Sequence, residues 1–151
     1  MAAKVRAAGS EDVGALAGLV EAFGAEFDDP VDPGHEERLR HAMAERTTFL
    51  LAGEPPLGFV AVTLRQPYWT ARPEVLVDDL YVTPDARGKG HGRALLRAAI
   101  TAARERGADH LELTTTDQDV AAVGLYRAEG MRETEQADPG SGRVIWFGLD
   151  L

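Results

Sequence analysis

The residues best placed to do chemistry lie between Arg87 and Arg93, in the run RGKGHGR. Gly88, Gly90 and Gly92 alternate there with Lys89 and His91, between an apolar strand pattern and a helical one. A backbone that wraps a pyrophosphate must come close to it, and side chains at those positions would block the approach. Consecutive N–H groups can then form an anion nest, and the start of the following helix adds unpaired donors and partial positive charge. The alternative is a tight strand-to-helix turn carrying solvated charges. Two familiar phosphate motifs do not fit. The P-loop ends in Gly-Lys-Ser/Thr, whereas Lys89 precedes Gly90, and G-x-G-x-x-G does not match in register.

Two further places carry candidate groups. VDDLYV, residues 77–82, puts Asp78 and Asp79 inside an apolar strand pattern. Neighbouring strand residues point to opposite faces, so the two cannot serve one site equally. A buried carboxylate without a partner is costly, so each should be paired or reach water. Tyr126, in DVAAVGLYRAEG, is either a proton donor or an aromatic anchor for its helix. Asp119 can cap that helix. Arg127 could reach phosphates or simply be solvated. Tyr68 and Trp69 could wall a pocket or pack over a hairpin. His35, His41 and His110 lack metal-ligand spacing, and no metal site is expected.

The elements that must position these groups follow from periodicity. Strands are predicted over 4–8, 47–53, 57–66, 74–82, 110–116, 131–136 and 143–151. Helices are predicted after Ser10, over 36–45, 91–106 and 120–130. Ser10 is the expected N-cap of the first. Leu95, Leu96, Ala99, Ile100 and Ala103 mark the buried stripe of the third, which Gly107 ends. ADPGSG, residues 137–142, reads as a hairpin turn. Early strands run consecutively and later ones alternate with helices, which argues for a mixed sheet with helices on its faces.

A chain of 151 residues is expected to form one domain, 1–151. It has no cysteine, which excludes disulfides, thiolate metal sites and a cysteine nucleophile. With no apolar run of membrane-spanning length and no signal-peptide pattern, a cytoplasmic protein without membrane contact is expected. The formal charge is −9, from 16 Lys and Arg against 25 Asp and Glu, which disfavours nucleic-acid binding. Against that background Arg87, Lys89, Arg93, Arg97, Arg104 and Arg106 cluster. This local reversal of sign suits an anionic ligand.

Taken together, VDDLYVTPDARGKGHGRALL (77–96) and DVAAVGLYRAEGM (119–131) resemble the two signatures of the GCN5-related N-acetyltransferase (GNAT) superfamily. Arg87, Gly90 and Gly92 stand at the defined positions of its acyl-CoA loop. Ala122, Leu125, Tyr126, Gly130 and Met131 match the second motif, where Asp119 replaces the usual Asn. The resemblance implies an α/β (α+β) fold: a mixed, mostly antiparallel sheet of six to seven strands, helices on both faces, and splayed central strands. It implies acetyl-CoA as cosubstrate and direct attack by a primary amine in a ternary complex. By the same resemblance, residues 87–93 (Arg87, Gly88, Lys89, Gly90, His91, Gly92, Arg93) hold the pyrophosphate. The strand backbone at Leu80, Tyr81 and Val82 holds the thioester end, and Asp119 and Ala122 are candidates for contact with the pantetheine arm. Tyr126 becomes the general acid for the CoA sulfur. Asp78 is a base or a rim carboxylate, because VDDLYV looks like the acidic strand of polyamine-type and aminoglycoside-type acetyltransferases. The expected acceptor is a small cationic amine, suggested also by Asp28, Asp29 and Asp32. Acetylation of peptide N-termini and a non-catalytic CoA-binding sensor are the alternatives. The resemblance also allows a homodimer.

Overall fold

In the computed structural model, which describes residues 4–117, 119–136 and 144–151, these patterns become seven strands and four helices. The order is β1 (Val5–Ala7), α1 (Val13–Glu26), α2 (His35–Glu45), β2 (Thr47–Ala52), β3 (Gly58–Arg65), β4 (Glu74–Val82), α3 (His91–Glu105), β5 (His110–Thr116), α4 (Val120–Ala128), β6 (Arg132–Gln136) and β7 (Val144–Asp150). The predicted turn at 137–142 lies outside the described residues. The strands form one sheet in the order β1-β2-β3-β4-β5-β7-β6. β1 with β2, β2 with β3, β5 with β7 and β6 with β7 pair antiparallel, whereas β4 and β5 are parallel. A parallel pair cannot be joined by a tight turn, and the link from β4 to β5 accordingly carries α3. Among the described residues no helix is long and apolar enough to cross a membrane.

The chain divides into two compact units, Met1–Thr63 with Asp79–Ala99 and Leu64–Asp78 with Ile100–Leu151. The first is built on an aromatic and aliphatic cluster. Val13, Leu16 and Leu19 of α1 and Leu39 of α2 are buried with Phe49, Leu51, Phe59 and Tyr81 of the strands. Phe23 of α1 lies 4.9 Å from the Tyr81 ring, edge to face. Gly24 is needed near the end of α1 because the Asp29 carbonyl closes onto the space where a Cβ would be. In the second unit, Val75 and Val77 of β4, Leu111 and Leu113 of β5, and Ile145 and Phe147 of β7 are buried. The residues between them, Leu76, Glu112 and Trp146, are only half-buried, as the two-residue period of a strand requires. On that unit's polar side, Arg65 bonds Glu74 and reaches Glu112 at 3.6 Å.

The predicted stripe of α3 is the one found: Leu95, Leu96, Ala99, Ile100 and Ala103 are all buried. Each buried leucine contributes about 2 kcal/mol. The start of α1 differs from expectation. Ser10 is not an N-cap; Ser10–Asp12 makes a 3-10 turn and α1 begins at Val13. The reason is Asp12. Its carboxylate takes two hydrogen bonds of 2.8 Å from the Arg6 guanidinium and a third, also 2.8 Å, from the Gly9 N–H. This part-buried ion pair pins β1 to the turn before α1. Those bonds, the Arg6 bond foremost, hold the Asp12 carboxyl down at about 2.

A carboxylate held below its unfolded value of roughly 3.9 stabilises the fold above that pH. The stabilisation is lost as pH falls from about 4 to about 2. Asp12→Asn is expected to lower Tm at pH 7, and the gap from wild type should close as pH approaches 2. Thermal melts at pH 7, 4 and 2.5 check it; a gap that does not depend on pH contradicts the assignment.

Candidate active site

The residues singled out between 78 and 93 follow one another along β4 and into α3. The parallel ladder between β4 and β5 runs from Glu74–His110 to Val77–Leu113. It ends there among the described residues, although β4 continues to Val82 and β5 to Thr116. Asp78 and Asp79, the next two residues of β4, are both exposed. Beyond them Leu80 and Val82 are half-buried, while the Tyr81 side chain is buried in the cluster of the first unit. β3 approaches this end of β4 so closely that a Cβ on Gly58 would sit 2.6 Å from the Tyr81 carbonyl oxygen. The Thr83 N–H then donates to the Leu57 carbonyl at 2.9 Å. The backbone of residues 80–82 is therefore held from the β3 side.

After β4 the chain makes one 3-10 turn, Pro84–Ala86, with Ala86 N–H donating to the Thr83 carbonyl at 2.9 Å. The glycine loop follows. Gly88 and Gly90 have φ of 76° and 89°, the left-handed region that a side chain disfavours. Among the described residues, chain neighbours apart, no atom lies within 4 Å of where a Cβ on either would be, so the space over the loop is open. The first helical bond of α3 runs from the Ala94 N–H to the Gly90 carbonyl, 3.0 Å. The N–H groups of His91 and Gly92, in the first turn, consequently have no acceptor within the helix. Lys89 and Arg93 are exposed beside them. His91 Nδ1 is buried without a hydrogen-bond partner among the described residues. Bare backbone donors, a helix start and basic side chains fit the diphosphate of a CoA ester.

Arg87 is arranged differently from its neighbours. Its Nε–H donates to the Val82 carbonyl at 2.9 Å and its Nη2 to Glu26 Oε2 at 2.6 Å. Its guanidinium also lies over the Tyr81 ring, 5.7 Å from the centroid. Glu26 is the last residue of α1 and was not singled out from sequence. It lies 61 positions from Arg87, and no local pattern marks such a pairing.

Tyr126 belongs to the second unit. It is 5% exposed, with its ring 5.4 Å from Phe147. Burial, with a smaller push from the Asp119 charge, raises its phenol to about 12. It is therefore a neutral, protonated hydroxyl throughout the physiological range. Asp119 caps α4, accepting a bond from the Ala122 N–H at 3.1 Å. Arg127 is ion-paired with Glu133 of β6. Tyr68 and Trp69 do not pack over the hairpin. They are 95% and 65% exposed, in T-shaped contact at 5.0 Å, on a loop where Gln66 Nε2 bonds the carbonyls of Pro67 and Thr70.

A sequence model of the acetyltransferase (GNAT) family matches residues 16–131. An aminoglycoside N(6')-acetyltransferase type 1 from Stenotrophomonas maltophilia is 33% identical over 152 residues, covering 97% of this chain and 93% of the relative. A streptothricin acetyltransferase from Streptomyces lavendulae is 40% identical over 89 residues, which is 58% of this chain and 45% of that protein. The chain thus spans less than half the length of the streptothricin enzyme. A crystal structure of a candidate acetyltransferase from Arthrobacter sp. FB24 is 35% identical with a TM-score of 0.79, covering 91% of this chain and 89% of the other.

Because Gly90 is left-handed and a Cβ there would meet no protein atom among the described residues, Gly90→Ala should cost about 1 kcal/mol of stability. That corresponds to a Tm loss of about 3 °C in a chain of this size. Differential scanning calorimetry without ligand checks it, and an unchanged Tm contradicts the left-handed assignment.

Proposed function

The chain belongs to the acetyltransferase (GNAT) family, and on that premise we propose that it moves an acetyl group from acetyl-CoA to the primary amine of a small cationic acceptor. The observation that carries the reading is the open glycine loop at the start of α3, with Gly88 and Gly90 left-handed and unobstructed. Acetyl-CoA supplies the thioester carbonyl that is attacked and the sulfur that leaves. The loop backbone, Lys89 and Arg93 hold its diphosphate. The backbone of residues 80–82, fixed by Gly58, orients the thioester end and offers N–H donors to the oxygen that gains charge.

An ammonium group must lose a proton before its nitrogen can attack. Asp78, exposed on β4, accepts that proton directly or through one water and passes it to solvent. The C–N bond forms first, which puts charge on the carbonyl oxygen and leaves one proton too many on nitrogen; that proton passes to solvent, again by way of Asp78, as the carbonyl re-forms and the C–S bond breaks. The sulfur takes a proton from the Tyr126 hydroxyl, which is replenished from solvent. The position of Tyr126 within the Ala122-x-x-Leu125-Tyr126 motif supports that role. So does its burial, which keeps the proton in place until the sulfur needs it. Asp119 acts on this reading as the cap of α4, so that a pantetheine contact from α4 would come through backbone.

The acceptor class rests on charge. Asp28, Asp29, Asp32, Asp78 and Asp79 are all exposed in a chain of net charge −9. The 33% identical relative that covers nearly the whole chain is named for aminoglycosides. A polyamine, aminoglycoside or amino-acid-like amine fits that charge. The reading also takes 1–151 as one acetyltransferase domain working in the cytoplasm.

Release of free thiol from acetyl-CoA, measured across polyamines, aminoglycosides and peptides with free N-termini, tests the proposal. Turnover is expected with polycationic small amines. Turnover with peptides alone would reverse the acceptor assignment, and tight CoA binding without transfer to any amine would favour the sensor reading. Tyr126→Phe keeps the ring against Phe147 and removes only the hydroxyl. It should lower kcat on the order of 100-fold while CoA affinity holds. An unchanged kcat would make Tyr126 an anchor and not the acid.

A further inference from the structure

The Arg87 side chain, on a loop that gathers an anion, is held by a carboxylate. We propose that Glu26 is a positioning residue for the cosubstrate loop. It clasps Arg87 so that the loop backbone, Lys89 and Arg93 gather the anion while the Arg87 guanidinium serves as a strut. The inference rests on the acetyl-CoA reading above and adds a residue to it.

The geometry is that of a three-way fastening. One guanidinium joins the last residue of α1, through Glu26 Oε2 at 2.6 Å, to the last residue of β4, through the Val82 carbonyl at 2.9 Å. Tyr81 lies beneath it, its ring centroid 5.7 Å from the guanidinium carbon. Tyr81 is itself anchored, 4.9 Å from Phe23 of α1. The strut therefore stands on a buried base. The loop that begins at Arg87 contains three glycines in the next five residues, which otherwise leaves its backbone free to sample many states. A nest of N–H groups binds an anion well only if the groups already point the right way, so fixing the first residue of the loop lowers the ordering cost of binding.

The clasp also settles an electrostatic difficulty. A carboxylate near an anion site repels the ligand unless a cation covers it, and Arg87 covers Glu26. The arrangement predicts opposite signs for two substitutions that would otherwise look alike. If Arg87 were a direct ligand of the anion, Glu26→Ala would release it and tighten binding. If Arg87 is a strut, Glu26→Ala loosens the loop and weakens binding. Arg87→Ala weakens binding more, since it leaves the Glu26 charge uncovered.

Calorimetric titration of CoA into the purified protein reads this directly. Glu26→Ala is expected to raise Kd about fivefold, the size of one partly exposed charge pair. Arg87→Ala should raise it further, and Glu26→Ala/Arg87→Ala should return to the level of Glu26→Ala alone. Glu26→Gln, which keeps an acceptor oxygen, should fall between wild type and Glu26→Ala. In the acetyl-transfer assay the change should appear in KM for acetyl-CoA and leave kcat within about twofold. Unchanged or tighter CoA binding by Glu26→Ala and Glu26→Gln overturns the proposal. A second readout needs no ligand: amide hydrogen exchange at Ala86, Arg87 and Ala94, the hydrogen-bonded N–H groups on either side of the glycines, should quicken in Glu26→Ala while exchange in β2 stays the same. If the wild-type protein binds no CoA, the acetyl-CoA reading fails. The exchange measurement then decides the clasp by itself, and unchanged rates at Ala86, Arg87 and Ala94 overturn it.

Discussion

A helix must begin somewhere, and its first N–H groups have no partners within it. At the start of α3 that defect sets the terms for the surrounding structure. For unpaired donors to be useful they must be bare, which places glycine at 88, 90 and 92. They must also be fixed, which glycine opposes. Nearly everything described around the loop is a way of restoring rigidity that the glycines give up. The 3-10 turn at Pro84–Ala86 limits where the loop can start. Gly58 lets β3 close onto the end of β4 and hold it. The buried stripe of α3 fixes the helix whose first turn presents the donors.

The same tension between reactivity and restraint appears in the second unit. A phenol is a poor acid in water because little drives its proton off at neutral pH. Burial against Phe147 raises Tyr126 to about 12, which makes it poorer still as an equilibrium acid. In the proposed role burial weakens the donor and in exchange guarantees its proton. A CoA thiolate is a stronger base than water, and the requirement is a hydroxyl that is reliably protonated when the C–S bond opens. Asp119 adds to this by placing a negative charge that disfavours phenolate, while its carboxylate caps α4. One residue thus sets both the start of the helix and the state of a side chain two turns along it.

Much of this was legible in the sequence because it is local. Strand and helix patterns follow from side-chain period, and the α3 stripe, the β5 alternation and the glycine loop all appear within a few residues of one another. The Asp119 cap was readable for the same reason. What was not readable depends on distance. Ser10 looked like an N-cap, but the carboxylate that organises the turn is Asp12, recruited by Arg6 from β1. Arg87 looked like one more cation of the loop, and only the fold brings Glu26 to it across 61 positions. Gly58 carried no signal at all, since its necessity arises from the Tyr81 carbonyl on another strand. Local rules describe what an element is; they do not say which long-range partner will claim its charged groups.

Charge bookkeeping in an acidic enzyme follows from these pairings. A chain of net charge −9 that binds a polyanion must confine its own negative field. Ionic screening does part of this, because exposed charges more than about 8–10 Å apart scarcely feel one another at physiological salt. The rest is done by pairing. Arg87 covers Glu26 at the end of α1, and Arg38 draws the carbonyls of Asp32 and Pro33 onto itself, at 2.7 and 2.9 Å, bracing the acidic loop that follows. The loop carboxylates Asp28, Asp29 and Asp32 stay exposed. Within this unit the carboxylate beside the glycine loop is neutralised, and those of the α1–α2 connection are left to act. A basic loop can then sit in an acidic protein without its own carboxylates opposing an anion there.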